Sequence, residues 1–95
     1  MSESTQGKVV EAEKFVLRDS QRTVRAELGI NGINSTFFAL YDDDGKKRAG
    51  LVVPADGSPI LELCDKEEKR QAEMRLIDAI GSASLTLGSE GAPRP

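Results

Sequence analysis

The chain has 95 residues and a formal net charge of −3, and 31% of its residues are charged. This length provides for one small domain, and the acidic balance argues against nucleic acids and anionic membranes as partners, because both are bound through clustered Lys and Arg. The chain contains no histidine and a single cysteine, Cys64, which excludes an intrachain disulfide and any Ser-His or Cys-His nucleophile arrangement within the chain.

The two ends of the sequence differ in composition from its middle. Residues 1–12 and 88–95 are rich in Ser, Gly, Glu and Pro, and we predict that both are disordered tails around one domain at residues 13–87. The N-terminal segment lacks the apolar core of a signal peptide, and no stretch approaches the roughly 18 apolar residues of a membrane span. A cytoplasmic location is therefore the default expectation, with export by a route without a cleaved signal left open.

A 23-residue unit occurs three times without gaps, at residues 15–37, 38–60 and 61–83, and a truncated fourth copy begins at Leu85 after one inserted residue. Several equivalent positions carry the same residue type in all three copies. The clearest such columns are Leu17, Leu40 and Leu63; Asp19, Asp42 and Asp65; and Ala26, Ala49 and Ala72.

Within each copy, apolar and charged residues alternate with a period of two, which is typical of half-buried strands. The largest residues on the predicted apolar side are Phe15, Leu17, Leu28, Phe38, Leu40, Leu51, Leu61, Leu63 and Met74. We expect these residues to form the core or oligomer face of an all-β antiparallel meander of about seven strands. The composition of residues 66–80 is also compatible with an amphipathic helix, which remains an alternative.

The turns can be assigned from parity, because facing residues must lie on the same side of a sheet. Within a copy, the apolar side changes from even to odd numbers, which predicts a four-residue turn within residues 42–46 with Gly45 at positive φ. Between copies the parity predicts three-residue loops at residues 32–34 and 55–57, which pair Leu28 with Phe38 and Leu51 with Leu61. The Gly45 column holds Arg22 and Glu68 in the other copies, so both are expected at positive φ.

A single sheet cannot shield one apolar face from water. Short loops and a regular series of hairpins favour an extended sheet, and we expect a homo-oligomer, with a trimer of three sheets around a shared core as the leading arrangement. A small closed β-barrel formed by one chain is the alternative.

Few residues suggest chemistry, and the sequence predicts no catalytic residue, no metal site and no cofactor. Residues 42–45 are similar to a calcium loop, but Val53 stands where a ligating Glu would be needed, so a plain turn is expected. Cys64 is interpreted as an incidental thiol on the polar side. The candidate ligand or partner surface consists of Phe37, Tyr41, Arg48 and Val52 on that side, extended by Val16 and Ile77.

Residues 42–51, followed by residues 56–59, resemble a repeat of uncharacterised bacterial proteins in which hairpins of the form L-Y-D-x-x-G-K-x-R-A-x-L recur in tandem. The resemblance extends over residues 15–87 and is best in the middle copy, because the other two lack the Gly-Lys turn. It implies a β-repeat fold and a bacterial origin, and it supplies no activity. A looser fold-level similarity is to fibrous trimeric β segments of phage tails and bacterial surface proteins.

Two functions follow from these patterns. The first is a non-catalytic structural or interaction protein that self-assembles through the apolar face of the meander. The second is a small binding module for a peptide, a sugar or a small molecule. An enzyme is disfavoured by the missing residue types.

Overall fold

The computed structural model describes residues 8–88, which form one antiparallel sheet of seven strands in sequential order. The strands are β1 Lys14–Arg18, β2 Val24–Ile30, β3 Thr36–Tyr41, β4 Lys47–Val53, β5 Ile60–Cys64, β6 Arg70–Ile77 and β7 Ser82–Leu87, and a 3₁₀ turn at Asp78–Ile80 precedes β7. The predicted all-β meander is confirmed. Residues 8–88 contain no α-helix, so the helical alternative for residues 66–80 is wrong: a turn and β6 occupy that stretch.

The sheet is open, with β1 and β7 as its two edges, so the alternative of a closed barrel is not formed. Because the number of strands is odd, β1 and β7 run in the same direction. All seven strands fall within the predicted domain at residues 13–87. The predicted tails lie mainly outside the described residues, since residues 1–7 and 89–95 are not described.

The strand register follows the sequence repeat, as the parity rule predicted. Leu28 faces Phe38, and Leu51 faces Leu61. Three rows of side chains therefore cross the apolar face. The middle row is Phe15, Leu28, Phe38, Leu51, Leu61, Met74 and Leu85, and a second row alternates in size as Leu17, Ala26, Leu40, Ala49, Leu63, Ala72 and Leu87.

The turns within the copies, which we call the inner turns (residues 19–23, 42–46 and 65–69), are built differently from the prediction. In the middle copy the N–H of Gly45 donates to the carbonyl of Asp42, and the N–H of Asp42 donates to the carbonyl of Lys46, which makes a three-residue turn. Leu40 nevertheless faces Ala49, because a β-bulge before Ala49 takes up one extra residue. The predicted register is correct, and the predicted four-residue turn is wrong.

The loops between the copies, which we call the outer loops (residues 31–35, 54–59 and 78–81), lie at the opposite end of the strands. The first has the same three-residue turn with Asn34 at φ 63°, and it carries no bulge, so the parity differs as predicted. The second turns at Gly57, with φ 88°. The third has four residues between Ile77 and Ser82 and turns at Gly81. It sets Met74 opposite Leu85, one residue further along the chain than the repeat requires, because of the insertion before Leu85.

Two bulky residues hold the strained conformation that the repeat predicts for them. Arg22 has a φ of 70° and Glu68 a φ of 68°, close to the 81° of Gly45 in the equivalent position. Residues other than Gly, Asn and Asp rarely adopt this conformation, because Cβ crowds the backbone. The hydrogen bonds of the flanking turn are the same in all three copies and impose the geometry on the side chain that is present.

Candidate functional site

The apolar face is the largest uncovered feature of the chain. Eight of the nine large residues predicted for this face are 41–53% exposed, and Leu17 on the edge strand is 63% exposed. Among residues 8–88, Ala39 is the one hydrophobic residue that is buried, and no large side chain in that range is fully buried. The residues predicted to form a core or oligomer face therefore share one surface, and nothing within residues 8–88 covers it.

The area of this face is that of a protein–protein interface. Seven strands about 4.8 Å apart and about 20 Å long give a flat footprint of about 650 Å². This value exceeds the range of about 300–600 Å² for the largest apolar patch of an ordinary monomer. It also approaches the roughly 800 Å² that each partner contributes to a standard interface.

The small residues of the second row leave depressions between the large ones. A depression of about 250 Å³ lies over Ala26 and is bounded by Leu17, Leu28 and Phe38. A smaller one of about 90 Å³ lies over Ala72. A third depression, of about 420 Å³, lies outside the second row, between the middle row and the outer loops, and is bounded by Met74, Leu76 and Ala83. The face is thus corrugated at the scale of a side chain, which suits interdigitation with another apolar surface.

The polar face is covered by its own side chains. The aliphatic part of Lys47 lies over Gly50, where an added Cβ would come within 2.8 Å of Lys47 Cε. Phe37 faces Gly29 across the strands, and its ring lies over that residue in the same way. Because these side chains lie along the sheet, Gly29 and Gly50 are buried. Ala39, which pairs with Gly50, is also buried.

A tyrosine and a lysine hold the first carboxylate of the polar face. Tyr41 Oη donates to Glu27 Oε1 at 2.6 Å, and Lys14 Nζ lies 3.1 Å from Glu27 Oε2. These two contacts, the tyrosine hydroxyl first, hold the pKa of Glu27 below its usual value. The same hydrogen bond to a carboxylate raises the pKa of Tyr41 to about 12.

Two further carboxylates, Glu62 and Glu73, face each other across β5 and β6, and each has cationic partners. Lys47 Nζ lies 2.9 Å from Glu62 Oε2. Arg70 and Arg75 contact the two oxygens of Glu73 at 3.0 and 2.7 Å, and the Glu73 side chain is only 11% exposed. Two like charges are therefore tolerated side by side because each is neutralised locally.

The bulges of the first two copies each aim a side chain at the neighbouring hairpin, whereas the extra residue of the third, Gln71, donates to Asp65 of its own turn. The extra residues in the first two copies are Arg25 and Arg48. Arg25 Nε donates to the carbonyl of Tyr41, and Arg48 Nε donates to the carbonyl of Cys64, at 3.1 and 3.0 Å. Each guanidinium also lies 3.6 Å from the Asp of its own turn. We missed this role in the sequence, although the shared Arg column was its signal.

The candidate ligand surface is only partly brought together. Phe37 and Val52 are direct cross-strand neighbours, and both are half-buried. Tyr41 lies on the same face toward the inner turns, where its hydroxyl is bound to Glu27. Arg48 extends to β5 and not to Tyr41. Ligand binding at these four residues stays a prediction.

The acidic turn at residues 42–44 brings three carboxylates within 4.8 Å of one another. Asp42 Oδ1 already accepts the backbone N–H groups of Asp44 and Lys46. The bond from Lys46 is the main reason that the pKa of Asp42 lies below its usual value. The same turn bonds lower the pKa of Asp19 and Asp65, so the carboxylate at this column serves the turn.

Cys64 is half-buried at the end of β5 and unpaired within the chain. Burial, followed by the nearby charge of Glu62, raises the pKa of its thiol. A raised pKa disfavours the thiolate, which is the reactive form. The environment is therefore that of an unreactive thiol, as the sequence led us to expect.

Comparison of the chain with models of known protein families and with curated proteins finds no match. Within residues 8–88, no helix has the length and apolar character needed to span a membrane. The function is accordingly argued from the geometry of the sheet.

Proposed function

We propose that this protein is a non-catalytic structural or interaction protein that self-assembles into a homo-oligomer through the apolar face of its sheet. The observation that carries the proposal is the continuous row from Phe15 to Leu85, in which every residue is large, apolar and at least 41% exposed. Such a row is costly in water, at roughly 25 cal/mol for each Å² of apolar surface. A second copy of the chain is the one covering partner that is present wherever the chain itself is present.

The shape of the face supports a second copy as the occupant. Large residues and alanines alternate along the second row with the same two-strand spacing, because both derive from the 23-residue repeat. A surface on which large and small residues share one spacing can interdigitate with a second copy of itself, which favours association of identical chains. A cytoplasmic location and the bacterial origin implied by the sequence resemblance belong to the same proposal.

Two neighbouring residues of β7 provide a matched test. Leu85 lies on the apolar face and Thr86 on the polar face, and both are exposed. We expect wild-type protein to be oligomeric at micromolar concentration by light scattering. Leu85→Asp should weaken association at least tenfold, since it places a charge in an apolar contact, whereas Thr86→Asp should not change the measured mass.

The central substitution Leu51→Asp should have a larger effect than Leu85→Asp, because its site is surrounded by the face on all sides. Far-UV circular dichroism establishes that each variant retains its strands. A wild-type chain that remains a monomer, or Leu85→Asp and Thr86→Asp variants with equal masses, would contradict the proposal.

A further inference from the structure

The two ends of the sheet differ sharply in chemistry. The three inner turns at residues 19–23, 42–46 and 65–69 contain two, four and five charged residues, respectively. The three outer loops at residues 31–35, 54–59 and 78–81 contain none, one and one. One end of every strand is therefore a charged rim and the other is nearly uncharged.

The outer-loop end also exposes large apolar residues that the meander does not require. Ile33 and Ile80, at the tips of two outer loops, are 76% and 71% exposed. Ile30, Val53 and Leu76 lie next to them on the apolar face and are also exposed. We call these five residues the apolar rim. A single exposed apolar residue is ordinary, but five of them at one end of the sheet, next to the apolar face, extend that face onto the loops and favour a contact there.

We infer that the apolar rim of each chain packs against the inner-turn side of the next chain's apolar face, so that three sheets close head to tail into a ring. This inference rests on the proposed self-association and adds its geometry. A contact between two different patches is heterologous, and such contacts form closed rings when the rotation permits. In a two-sheet sandwich, by contrast, the loop tips would remain in water.

The receiving surface lies in the second row, beside the inner turns. Ala26 and Ala72 there form the depressions of about 250 and 90 Å³, which admit projecting side chains from a neighbour. The charged inner turns themselves would remain outside the core. The alternation of Leu and Ala in this row thus provides space for a neighbouring chain, which the uniformly large residues of the middle row do not provide.

The length of the strands, about 20 Å, sets the width of each wall of the ring and therefore the number of chains. Three walls about 20 Å wide lie about 6 Å from a common axis, near the 5 Å or so that each face contributes between packed sheets. Four such walls would lie about 10 Å from the axis and leave a central void, which close-packed protein interiors avoid. Three sheets fill the space.

The test compares equivalent turn positions at the two ends of the sheet. Ile33 and Gln21 occupy the same place in turns of the same type, and both are exposed. The double variant Ile33→Asp/Ile80→Asp and the control Gln21→Asp are compared with wild type by light scattering across a concentration series. We expect a wild-type mass of three chains, retained by Gln21→Asp, and at least a tenfold weaker association for the rim variant.

Other results are equally informative. A wild-type mass of two chains, or a rim variant that associates as well as wild type, would overturn the ring but leave self-association standing. A monomeric wild-type chain would overturn both. Since both substitutions are at exposed loop tips, retention of strand content by circular dichroism separates lost association from lost folding.

Discussion

On one face of the sheet, the side chains of Phe37 and Lys47 lie along the strands over Gly29 and Gly50, whereas on the other face the apolar side chains project outward and remain about half exposed. Both faces derive from the same alternating strands. The comparison teaches that the polar face is complete within one chain, because its charges are paired locally. The apolar face is complete only when another surface covers it.

The largest effect is expected from substitutions of two adjacent residues that lie on opposite faces. Phe38 lies on the apolar face and Phe37 on the polar face, against Gly29 and Val52. We expect Phe38→Ala to lower the free energy of unfolding of the assembly by about 3 kcal/mol, by removing a side chain buried between chains. Phe37→Ala should cost about 1–2 kcal/mol, since that ring remains partly exposed.

The concentration dependence of these effects distinguishes the faces. Denaturant unfolding at two protein concentrations should show that the midpoint of wild type and Phe37→Ala rises with concentration, and that Phe38→Ala depends on it much less. Midpoints that are independent of concentration in all three proteins would mean that the two faces do not differ as we describe.

A second test examines the hydrogen bond between Tyr41 and Glu27 on the polar face. Tyr41 is the single tyrosine and the chain contains no tryptophan, so ultraviolet absorbance reports this phenol alone. We expect a titration midpoint of about 12, which Glu27→Gln should move back toward the ordinary value of 10.0. The control Glu62→Gln, on a carboxylate paired with Lys47, should leave the midpoint unchanged.

The raised pKa of Tyr41 also fixes the sign of its contribution to stability. The hydrogen bond to ionised Glu27 contributes fully to the stability of the fold from the pH at which Glu27 is ionised up to pH 10, and the contribution is lost as the pH rises toward about 12. A tyrosine that titrates at its ordinary value in the folded protein would show that this contact does not hold in solution.

The smallest expected effects lie in the turns, which belong to neither face. Arg22→Gly should be neutral or stabilise the fold by up to about 1 kcal/mol, because glycine adopts positive φ without strain. Glu68→Gly should gain less, since Glu68 Oε2 accepts the N–H of Lys47 at 3.0 Å. Thermal unfolding measures both, and light scattering should show unchanged mass. Clear destabilisation by Arg22→Gly would contradict the strain.

The register could be predicted because each residue of a strand, by being apolar or polar, indicates which face of the sheet it lies on. A shift of one residue at Leu28 or Leu51 would turn all apolar side chains of that strand to the other face. The inner turn could not be fully resolved in this way. A three-residue turn followed by a bulge has the same parity as a four-residue turn, so both place Leu40 opposite Ala49.

The burial of the polar face could not be predicted from alternation. Whether Lys47 extends into water or lies over Gly50 depends on a small residue three positions along the chain and on Glu62 in the next hairpin. The period of two carries no information on side-chain reach. The roles of Arg25 and Arg48 had a visible signal in their shared column, but its meaning required the bulge.

The odd number of strands has a consequence for how far an assembly can grow. In the part of the chain that the structure describes, the two outermost strands, β1 and β7, each have one side without a paired strand. Stacking chains lengthwise by simple translation would bring β7 against β1 in parallel, with a different and somewhat weaker hydrogen-bond pattern. Lengthwise contact between chains is therefore slightly less stable per residue than the antiparallel pairing within the sheet. Under the proposed self-association, covering the apolar faces is the larger driving force, and growth in that direction ends when they are covered.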